Sequence, residues 1–410
     1  MHQMRLTPTP LRRATTVLSA LALAAGVQLA AGTGANSAPP DGDLRLAPST
    51  TAVDGQWIVV LKNGEVAKSE TRSAARDLAG TADVRPEHVY RTALRGFSAE
   101  MSKAEAAELA RDPRVAYVEQ DAVVRVADTQ SDATWGLDRI DQRDLPLSST
   151  YTYDTTAAGV TAYIIDTGIR TGHDEFGGRA SIGTDSVGDG QNGQDCNGHG
   201  THVAGTVGGS TYGVAKEAEL VGVRVLNCSG SGTTAGVVAG IDWVTANADG
   251  PSVANMSLGG GASTALDNAV ERSIDAGVTY AIAAGNGNIF GWPQNACNYS
   301  PARVPGALTV GATDNTDRRA SWSNYGTCLD LFAPGVGITS SWSDSDRAVN
   351  TISGTSMATP HTAGVAALYL QQHPSATPAQ VSQAVVDNTT PGKVQDPRSG
   401  SPNRLLYSLF

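Results

Sequence analysis

Two hydrophobic patterns alternate along the chain from about position 159 onward. Short apolar runs predict strands that are buried on both faces, over positions 159–165, 220–226, 253–256, 279–284 and 308–311. Apolar residues at helical spacing predict helices, over positions 199–208, 233–248, 263–276 and 359–372. Buried strands alternating with helices indicate an α/β fold, with a parallel sheet flanked by helices. In such a sheet, chemistry gathers at the carboxyl ends of the strands.

A different pattern occupies the part before position 135. Strands are predicted at positions 56–61, 96–101 and 115–119, and helices at 69–79 and 103–111. These elements indicate a small α+β domain. A linker is expected over Ala38–Asp54, and the polar segment Asp121–Thr134 predicts an exposed boundary.

The first 38 residues have the build of an export signal. Arg5, Arg12 and Arg13 precede an Ala-rich apolar run over 14–31 and a small, polar stretch over 32–38. This pattern is typical of a secretory signal peptide that is cleaved between positions 31 and 38, and twin-arginine export stays open. The run is too weakly apolar to favour a transmembrane anchor. We therefore expect a secreted, soluble protein with no membrane partner.

Composition and cysteine count narrow the function classes. The chain has 410 residues, 46 of them glycine, and a formal net charge of -11. This acidic balance favours solubility and disfavours nucleic acid as a partner. The four cysteines, Cys196, Cys228, Cys297 and Cys328, form no Cys-x-x-Cys pair, so zinc and thioredoxin-like chemistry are disfavoured. In a secreted chain we expect them to pair, and three connectivities are possible.

Ser356, within the stretch Gly354–His361, is the candidate nucleophile. Small residues precede it and an Ala-rich helical pattern follows, which predicts a position at a helix N-terminus with Pro360 in the first turn. Unpaired N–H groups there can stabilise an oxyanion while the hydroxyl attacks a carbonyl. A simple helix cap is the alternative.

Two further residues supply a base and an orienting carboxylate. Asp166 ends a predicted strand, and His199 lies between glycines at the start of a predicted helix. An imidazole can accept a serine proton while a carboxylate holds its other nitrogen in the correct tautomer. We interpret His202 as structural, because no Glu or Cys accompanies the His199-x-x-His202 pair as a zinc site would require. His361 follows the candidate nucleophile, and we interpret it as a packing or hydrogen-bonding residue.

Five short sequence strings resemble those of a known protein family. The chain contains, in order, the strings YIIDTGI, GHGTHVAGTVGG, ANMSLGGG, AIAAGNGN and SGTSMATPHTAG. They resemble the subtilisin-like serine proteases of the proteinase K and aqualysin branch, and the order Asp, His, Ser is that of subtilisin. The resemblance covers Trp135 to the C-terminus, and positions 56–121 resemble the inhibitor-type propeptide of these proteases. It implies a triad and an oxyanion donor, namely Asp166, His199 and Ser356 with Asn286.

The resemblance also implies a zymogen in three parts. These are a signal peptide over 1–38, an inhibitor-type propeptide over 39–127 and a catalytic domain over 128–410. The tail Val124–Ala127 is expected to lie in the substrate cleft, so that the enzyme cuts after Ala127 and its own propeptide inhibits it. The mature enzyme is expected to be a monomer. The disulfides favoured by the resemblance are Cys196–Cys228 and Cys297–Cys328.

A peptide-binding cleft is implied whose glycine-rich backbone takes the substrate as an added strand. Its residues are Ser231, Gly232, Ser257, Leu258, Gly259 and Gly260. Small residues without a nearby acidic side chain predict a broad preference for apolar and aromatic side chains. Ordinary turns are the alternative for these segments.

Calcium is implied as a structural ion at two places. The first would combine the carboxylate of Asp330 with the carbonyls of Pro305 and Ala307. The second would use side chains of one segment, namely Asp138, Asp141 and Gln142, with Ser148 and Thr150 as further oxygens. Solvated surface carboxylates are the alternative for both.

Two other functional classes are alternatives to a serine protease. A non-catalytic binding protein on the same fold would be expected to lack a triad member or the oxyanion donor, and this chain has all four. An acid peptidase of the Ser–Glu–Asp type is disfavoured by His199. The sequence therefore predicts a secreted, calcium-stabilised serine endopeptidase that is made as an inactive precursor.

Overall fold

The structure is a computed structural model that describes residues 42–47, 52–123 and 127–410. The predicted signal peptide lies outside the described residues, and so do positions 124–126 of the predicted propeptide tail.

The part before the predicted cut is an α+β domain with one five-stranded sheet. Its strands are β1 (Leu44–Arg45), β2 (Ala52–Leu61), β3 (Pro86–Tyr90), β4 (Gly96–Glu100) and β5 (Val115–Ala122), and its helices are α1 (Thr71–Thr81) and α2 (Lys103–Leu109). The strand order is β1-β5-β2-β4-β3. A single hydrophobic core joins sheet and helices, with Trp57, Leu78 and Phe97 almost fully buried.

One expectation for this part is wrong. The predicted linker over 38–54 contains β1, which pairs in parallel with β5, and β2 begins at Ala52. The predicted exposed boundary over 121–134 also contains a strand, β6 (Asp128–Ser131), which pairs with β7 (Thr150–Tyr153), and its described residues are exposed or partly exposed. Polar composition concealed these strands, because the ladder is made by backbone groups that any residue except proline supplies.

The second part contains the remaining helices and strands. In chain order they are α3 (Trp135–Ile140), β8 (Thr161–Asp166), β9 (Ala180–Asp185), α4 (His199–Gly208), β10 (Glu219–Arg224), α5 (Thr234–Asn247), β11 (Ser252–Met256), β12 (Gly260–Gly261), α6 (Thr264–Asp275), β13 (Thr279–Ala283), β14 (Tyr299–Ser300), β15 (Leu308–Thr313), β16 (Leu331–Pro334), β17 (Ile338–Ser341), β18 (Val349–Ile352), α7 (Thr355–Gln372), α8 (Pro378–Asn388), β19 (Thr390–Pro391) and β20 (Arg404–Leu405).

A nine-stranded sheet organises this part, in the order β19-β20-β16-β15-β13-β11-β8-β10-β9. All neighbours in it pair in parallel except β19 and β20. Alternate residues of a strand face opposite sides, so Ile164 packs into one hydrophobic core and Ile165 into the other. Cores on both faces explain the uninterrupted apolar runs, and the predicted α/β fold with a helix-flanked parallel sheet is confirmed.

Helix α7 begins at Thr355, four residues before the predicted start at Thr359. Ser356 is therefore the second helical residue, and Pro360 lies in the second turn rather than the first. Pro360 cannot donate to the Ser356 carbonyl, which would leave that acceptor unpaired. The hydroxyl of Ser257 donates to it instead, at 2.8 Å.

Candidate active site

The predicted catalytic residues come from neighbouring elements at one edge of the sheet. Asp166 is the last residue of β8, which lies between β10 and β11. His199 is the first residue of α4, and Ser356 lies in the first turn of α7. Asn286 follows β13 by three residues. Because β8, β11 and β13 run in parallel, their carboxyl ends meet at this edge, as the sequence predicts.

A direct contact joins the carboxylate and the imidazole. Asp166 Oδ1 lies 2.8 Å from His199 Nδ1 and also accepts a hydrogen bond from the Thr167 backbone N–H at 2.7 Å. The Asp166 side chain is fully buried, whereas that of His199 is 24 % exposed. Burial alone would lower the pKa of His199, but the carboxylates of Asp166 and Asp195 outweigh it and raise that pKa. The imidazole is thus held by one nitrogen and made more basic.

Asp195 holds the loop that carries His199, and sequence reasoning missed it. Its Oδ1 accepts hydrogen bonds from the backbone N–H groups of residues 197 and 198, each at 2.9 Å, and from the Thr167 hydroxyl at 2.9 Å. Its Oδ2 accepts from the backbone N–H of Thr201 at 2.9 Å and from its hydroxyl at 2.6 Å. The position lies in a polar, glycine-rich loop, and its only sequence signal is proximity to His199.

The hydroxyl of Ser356 donates to the carbonyl of Ser257 at 3.1 Å. No hydrogen bond joins it to His199 within the part of the chain that the structure describes. Catalytic hydrogen bonds of this type are often loose without substrate and tighten in the complex. Rotation about the Cα–Cβ bond of Ser356 would release the hydroxyl from Ser257.

The side chain of Asn286 is oriented by Thr355, another residue that sequence reasoning missed. Asn286 Oδ1 accepts from the Thr355 backbone N–H at 2.8 Å and from the Thr355 hydroxyl at 2.9 Å. The same hydroxyl accepts from the Gly285 N–H at 3.1 Å. Both bonds occupy the amide oxygen, so the Nδ2 donor is turned toward Gly354, 3.5 Å from where a Cβ on that glycine would lie.

Position 285 accepts only glycine without strain. Its backbone has φ of +100°, and an added Cβ would lie 2.4 Å from the Asn324 side chain. Both a strained backbone and a clash would follow from substitution. The turn that delivers Asn286 therefore depends on glycine.

Two cavities meet at this edge of the sheet. One, of about 560 Å³, is lined by His199 together with the predicted cleft residues Ser231, Gly232, Ser257, Leu258, Gly259 and Gly260. The other, of about 380 Å³, is lined by Asn286, Ser356 and the same backbone from Ser257 to Gly260. No Asp, Glu, Lys or Arg lines either cavity among the described residues. The predicted cleft residues thus lie together beside the candidate nucleophile.

Two family models match the chain. The model described as the subtilase family, Peptidase S8, matches residues 157–404, and the peptidase inhibitor I9 model matches residues 56–127.

The chain belongs to the subtilase family. It is a serine-type endopeptidase, made as a zymogen whose inhibitor-type propeptide precedes the protease part. Its partners therefore include protein substrates and its own propeptide.

Named relatives agree with this assignment. This subtilase is 54 % identical over 397 residues to an extracellular serine proteinase of Thermus sp. (strain Rt41A), covering 92 % of this chain and 96 % of that one. It is 52 % identical over 379 residues to alkaline serine exoprotease A of Vibrio alginolyticus, covering 89 % and 70 %. A crystal structure of a cold adapted subtilisin-like serine proteinase is 59 % identical, with a TM-score of 0.66, and covers 68 % of this chain and 100 % of that one.

The predictions of a subtilisin-like enzyme and of a secreted protein are confirmed. Among the described residues, no helix is long and apolar enough to cross a membrane.

The other two histidines beside the subtilase site are buried. His202 Nε2 lies 3.0 Å from the Ile338 carbonyl, and His361 Nδ1 lies 2.8 Å from the Met357 carbonyl. Burial lowers the pKa of each to about 4. Neutral, buried rings with backbone partners fit the structural interpretation.

Both disulfides that the resemblance implied are present, Cys196–Cys228 and Cys297–Cys328. The first joins the loop before His199 to the loop before Ser229 and Ser231, two segments that line the same cavity. It therefore connects a wall of the cavity to the loop that carries His199.

The first predicted calcium site rests on Asp330. Its Oδ2 accepts from the Thr309 backbone N–H at 2.7 Å, and burial raises its pKa to about 6. Among the described residues no ion pair is formed with this carboxylate, and the charge of Arg404 lowers its pKa only in part. A half-buried carboxylate whose pKa stays raised despite Arg404 fits an oxygen-ligated cation.

The second predicted site contains an adjacent acidic pair. Asp138 accepts three hydrogen bonds from residues 148 and 149, and Asp141 accepts one from Thr152. Asp141 Oδ1 is buried without a partner among the described residues, and burial, together with Asp138, raises the pKa of Asp141 to about 6. The amide nitrogen of Gln142 donates to the carbonyls of Asp144 and Pro146. The pair fits a cation, whereas Gln142 already has other partners for its nitrogen.

Proposed function

We propose that Asp166, His199 and Ser356 form the catalytic triad of this secreted endopeptidase and that Asn286 supplies the side-chain donor to the oxyanion. The contact of 2.8 Å between Asp166 Oδ1 and His199 Nδ1 carries this proposal. It fixes the tautomer in which Nδ1 bears the proton and Nε2 is free to accept one.

Acylation would begin when the Ser356 hydroxyl leaves the Ser257 carbonyl and attacks the substrate carbonyl carbon. As the new C–O bond forms, the serine proton passes to His199 Nε2, and Asp166 stabilises the imidazolium. The Asn286 side-chain amide and the N-terminal N–H groups of α7 would donate hydrogen bonds to the oxyanion. His199 then protonates the departing amine as the C–N bond breaks, and a water repeats the sequence to release the acid.

The cavities support a broad preference for apolar and aromatic side chains. The cavity beside Ser356 has walls of Gly259, Ala283, Gly285 and Ala302, with Tyr299 as its bulkiest lining residue. A charged substrate side chain would be desolvated there without a counter-charge. The exposed backbone of Gly259 and Gly260 supports main-chain pairing with an extended peptide.

We propose calcium at both candidate sites, since proteins of this family generally bind it as a structural ion. The carboxylate of Asp330 with the carbonyls of Pro305 and Ala307 would hold the first ion, and Asp138 with Asp141 the second. The raised pKa values of Asp330 and Asp141 support this, because a bound cation would offset burial of the charged form. The ions would stabilise the fold and take no part in the chemical step.

We propose that the enzyme removes its own propeptide after Ala127, leaving a mature chain over 128–410. Asp128 begins β6, so the proposed new N-terminus would be held by pairing with β7. The I9 match, which ends at residue 127, supports this division.

The test is expression of the full precursor as wild type and as Ser356→Ala. The wild type should digest casein and show an N-terminus at or within a few residues of Asp128. The variant should accumulate uncut and lose peptide hydrolysis by about four to six orders of magnitude. Trimming of the purified variant at the same place would refute self-processing, and near-wild-type turnover would refute the nucleophile.

A further inference from the structure

The loop that follows Asn286 exposes three large apolar side chains. Ile289 is 94 % exposed, Phe290 77 % and Trp292 71 %, and we call these three residues the apolar tip. Eight large hydrophobic side chains are exposed among the described residues, and three of them lie within positions 289–292. No charged residue occurs from 287 to 294. An exposed aromatic cluster of this kind is typical of an interaction surface.

The tip is closed at its base by Asn288. The backbone N–H of Asn288 donates to the Trp292 carbonyl at 2.9 Å, and Asn288 Oδ1 accepts from the N–H groups of Phe290 and Trp292 at 3.0 and 3.1 Å. These bonds satisfy the polar backbone of the turn internally. The turn is therefore held together by its own hydrogen bonds while the three apolar side chains stay largely exposed.

A second residue, Asn324, clamps both ends of the loop. Its Oδ1 accepts from the N–H groups of Gly287 at 3.1 Å and Gln294 at 2.8 Å, and its Nδ2 donates to the Ala284 carbonyl at 2.8 Å. Asn324 is 2 % exposed. The tip is thus fixed to the strand end that delivers Asn286.

The loop is continuous with the cavity that contains the nucleophile. Gly287 and Asn324 line the same cavity as Ser356. Phe290 is three residues from Gly287, so it lies at most about 10 Å along the chain from that wall. An extended substrate advances about 3.3 Å per residue. Substrate side chains about three or four positions from the scissile bond are therefore within reach of the tip.

We propose that the apolar tip is an auxiliary binding surface for apolar side chains of the protein substrate that flank the scissile bond. This inference rests on the proposed function of the same site. Three side chains of this size cover roughly 500 Å², well below the roughly 800 Å² per partner of a stable protein–protein interface. That area suits a polypeptide already held in the cavity and is too small for a stable dimer with a second copy.

The test compares the mature wild-type enzyme with a variant that carries Ile289→Ser, Phe290→Ser and Trp292→Ser. Leu145→Ser is the matched control, because Leu145 is also apolar and exposed but lines neither of the two cavities. It follows Asp144, which pairs with Lys393. Three substrates are used: a chromogenic tetrapeptide anilide ending in Phe, and two internally quenched ten-residue peptides with the same central residues. One long peptide has Leu and Phe three to five positions from the scissile bond, and the other has Ser and Gln there.

The tip variant should cleave the tetrapeptide and the polar long peptide within twofold of wild type. On the apolar long peptide, its kcat/KM should fall about tenfold, mainly through KM, and the control should match wild type throughout. Equal values on all substrates, or an equal loss on all three, would overturn the proposal. Tip-dependent dimerisation, or tip-dependent binding to phosphatidylcholine vesicles with unchanged peptide hydrolysis, would overturn it in favour of another partner. If the wild type cleaved none of the substrates, the proposed function itself would fail.

Discussion

Replacing Thr355 by Val removes one of the two hydrogen bonds that orient Asn286. Val has nearly the same shape, so the fully buried site keeps its packing, and the Thr355 backbone N–H still donates to Asn286 Oδ1 at 2.8 Å. The lost bond of 2.9 Å, together with the Gly285 N–H left without its acceptor, should cost about 1–3 kcal/mol of folding free energy.

The catalytic effect has an upper limit that is known from a relative. In subtilisin, complete loss of the side-chain amide donor to the oxyanion, the role proposed here for Asn286, lowers kcat by about 10²–10³. Because Thr355→Val keeps half of the orienting bonds, we expect kcat to fall by about 10- to 50-fold. KM should stay unchanged, because the oxyanion exists only beyond the ground state.

The assay is steady-state hydrolysis of the chromogenic tetrapeptide anilide, with Thr355→Ser as the control that keeps the hydroxyl. The serine variant should retain kcat within about threefold of wild type. A Val variant with near-wild-type kcat, or a Ser variant as impaired as the Val variant, would contradict the orienting role of the hydroxyl.

Three further predictions concern the base, a disulfide and calcium. Against the effect of burial, Asp166 and Asp195 raise the pKa of His199, and the proposed base acts when neutral, so activity should rise with pH through that raised pKa. Asp195→Asn should move the acid limb of kcat/KM to lower pH, and an unmoved limb would refute the coupling. Replacing Cys297 and Cys328 by Ser opens a loop with a sequence separation of 31, which should cost about 3–4 kcal/mol in urea unfolding of an inactive variant; a cost below about 1 kcal/mol would contradict the chain-entropy argument. Chelation of calcium should lower the melting temperature clearly while changing kcat little, because an ion bound only by the folded state stabilises that state. Asp330→Asn should reduce this loss of melting temperature, and an unchanged loss would place the ion elsewhere.

Most of the buried strands of the protease part could be predicted closely from the sequence, because both faces of each strand are covered. Strand β13 and helix α4, for example, lie within a residue of their predicted bounds, since apolar runs and spacing report burial directly. Strand β16 was not predicted, although all four of its residues are buried. Strand β9 was not predicted, because it forms an edge of the sheet and its residues are only partly buried. The hairpin of β17 and β18 was missed because most of its residues are polar, although three of the four residues of β17 are buried.

The sequence contains a helix-start signal before α8. Thr377 caps it, Pro378 begins it and Gln380 completes a capping box, a combination that predicts a helix start. The late prediction for α7 has a different cause, because Thr355 and Ser356 carry no apolar periodicity and Pro360 suggested a first turn. Asp195 and Thr355 could not be assigned from spacing, since their roles consist of hydrogen bonds to residues that only the fold brings together.

The central claim is that Ser356 is the nucleophile of this subtilase, activated by His199 and Asp166. Its most direct test is stoichiometric labelling of the mature enzyme with a fluorophosphonate, followed by mass spectrometry of the labelled peptide. We expect one label per molecule on Ser356, loss of activity in proportion to labelling, and no labelling of His199→Ala at a comparable rate. Full inactivation with the label on another serine, or an unlabelled Ser356 in inactivated enzyme, would contradict it.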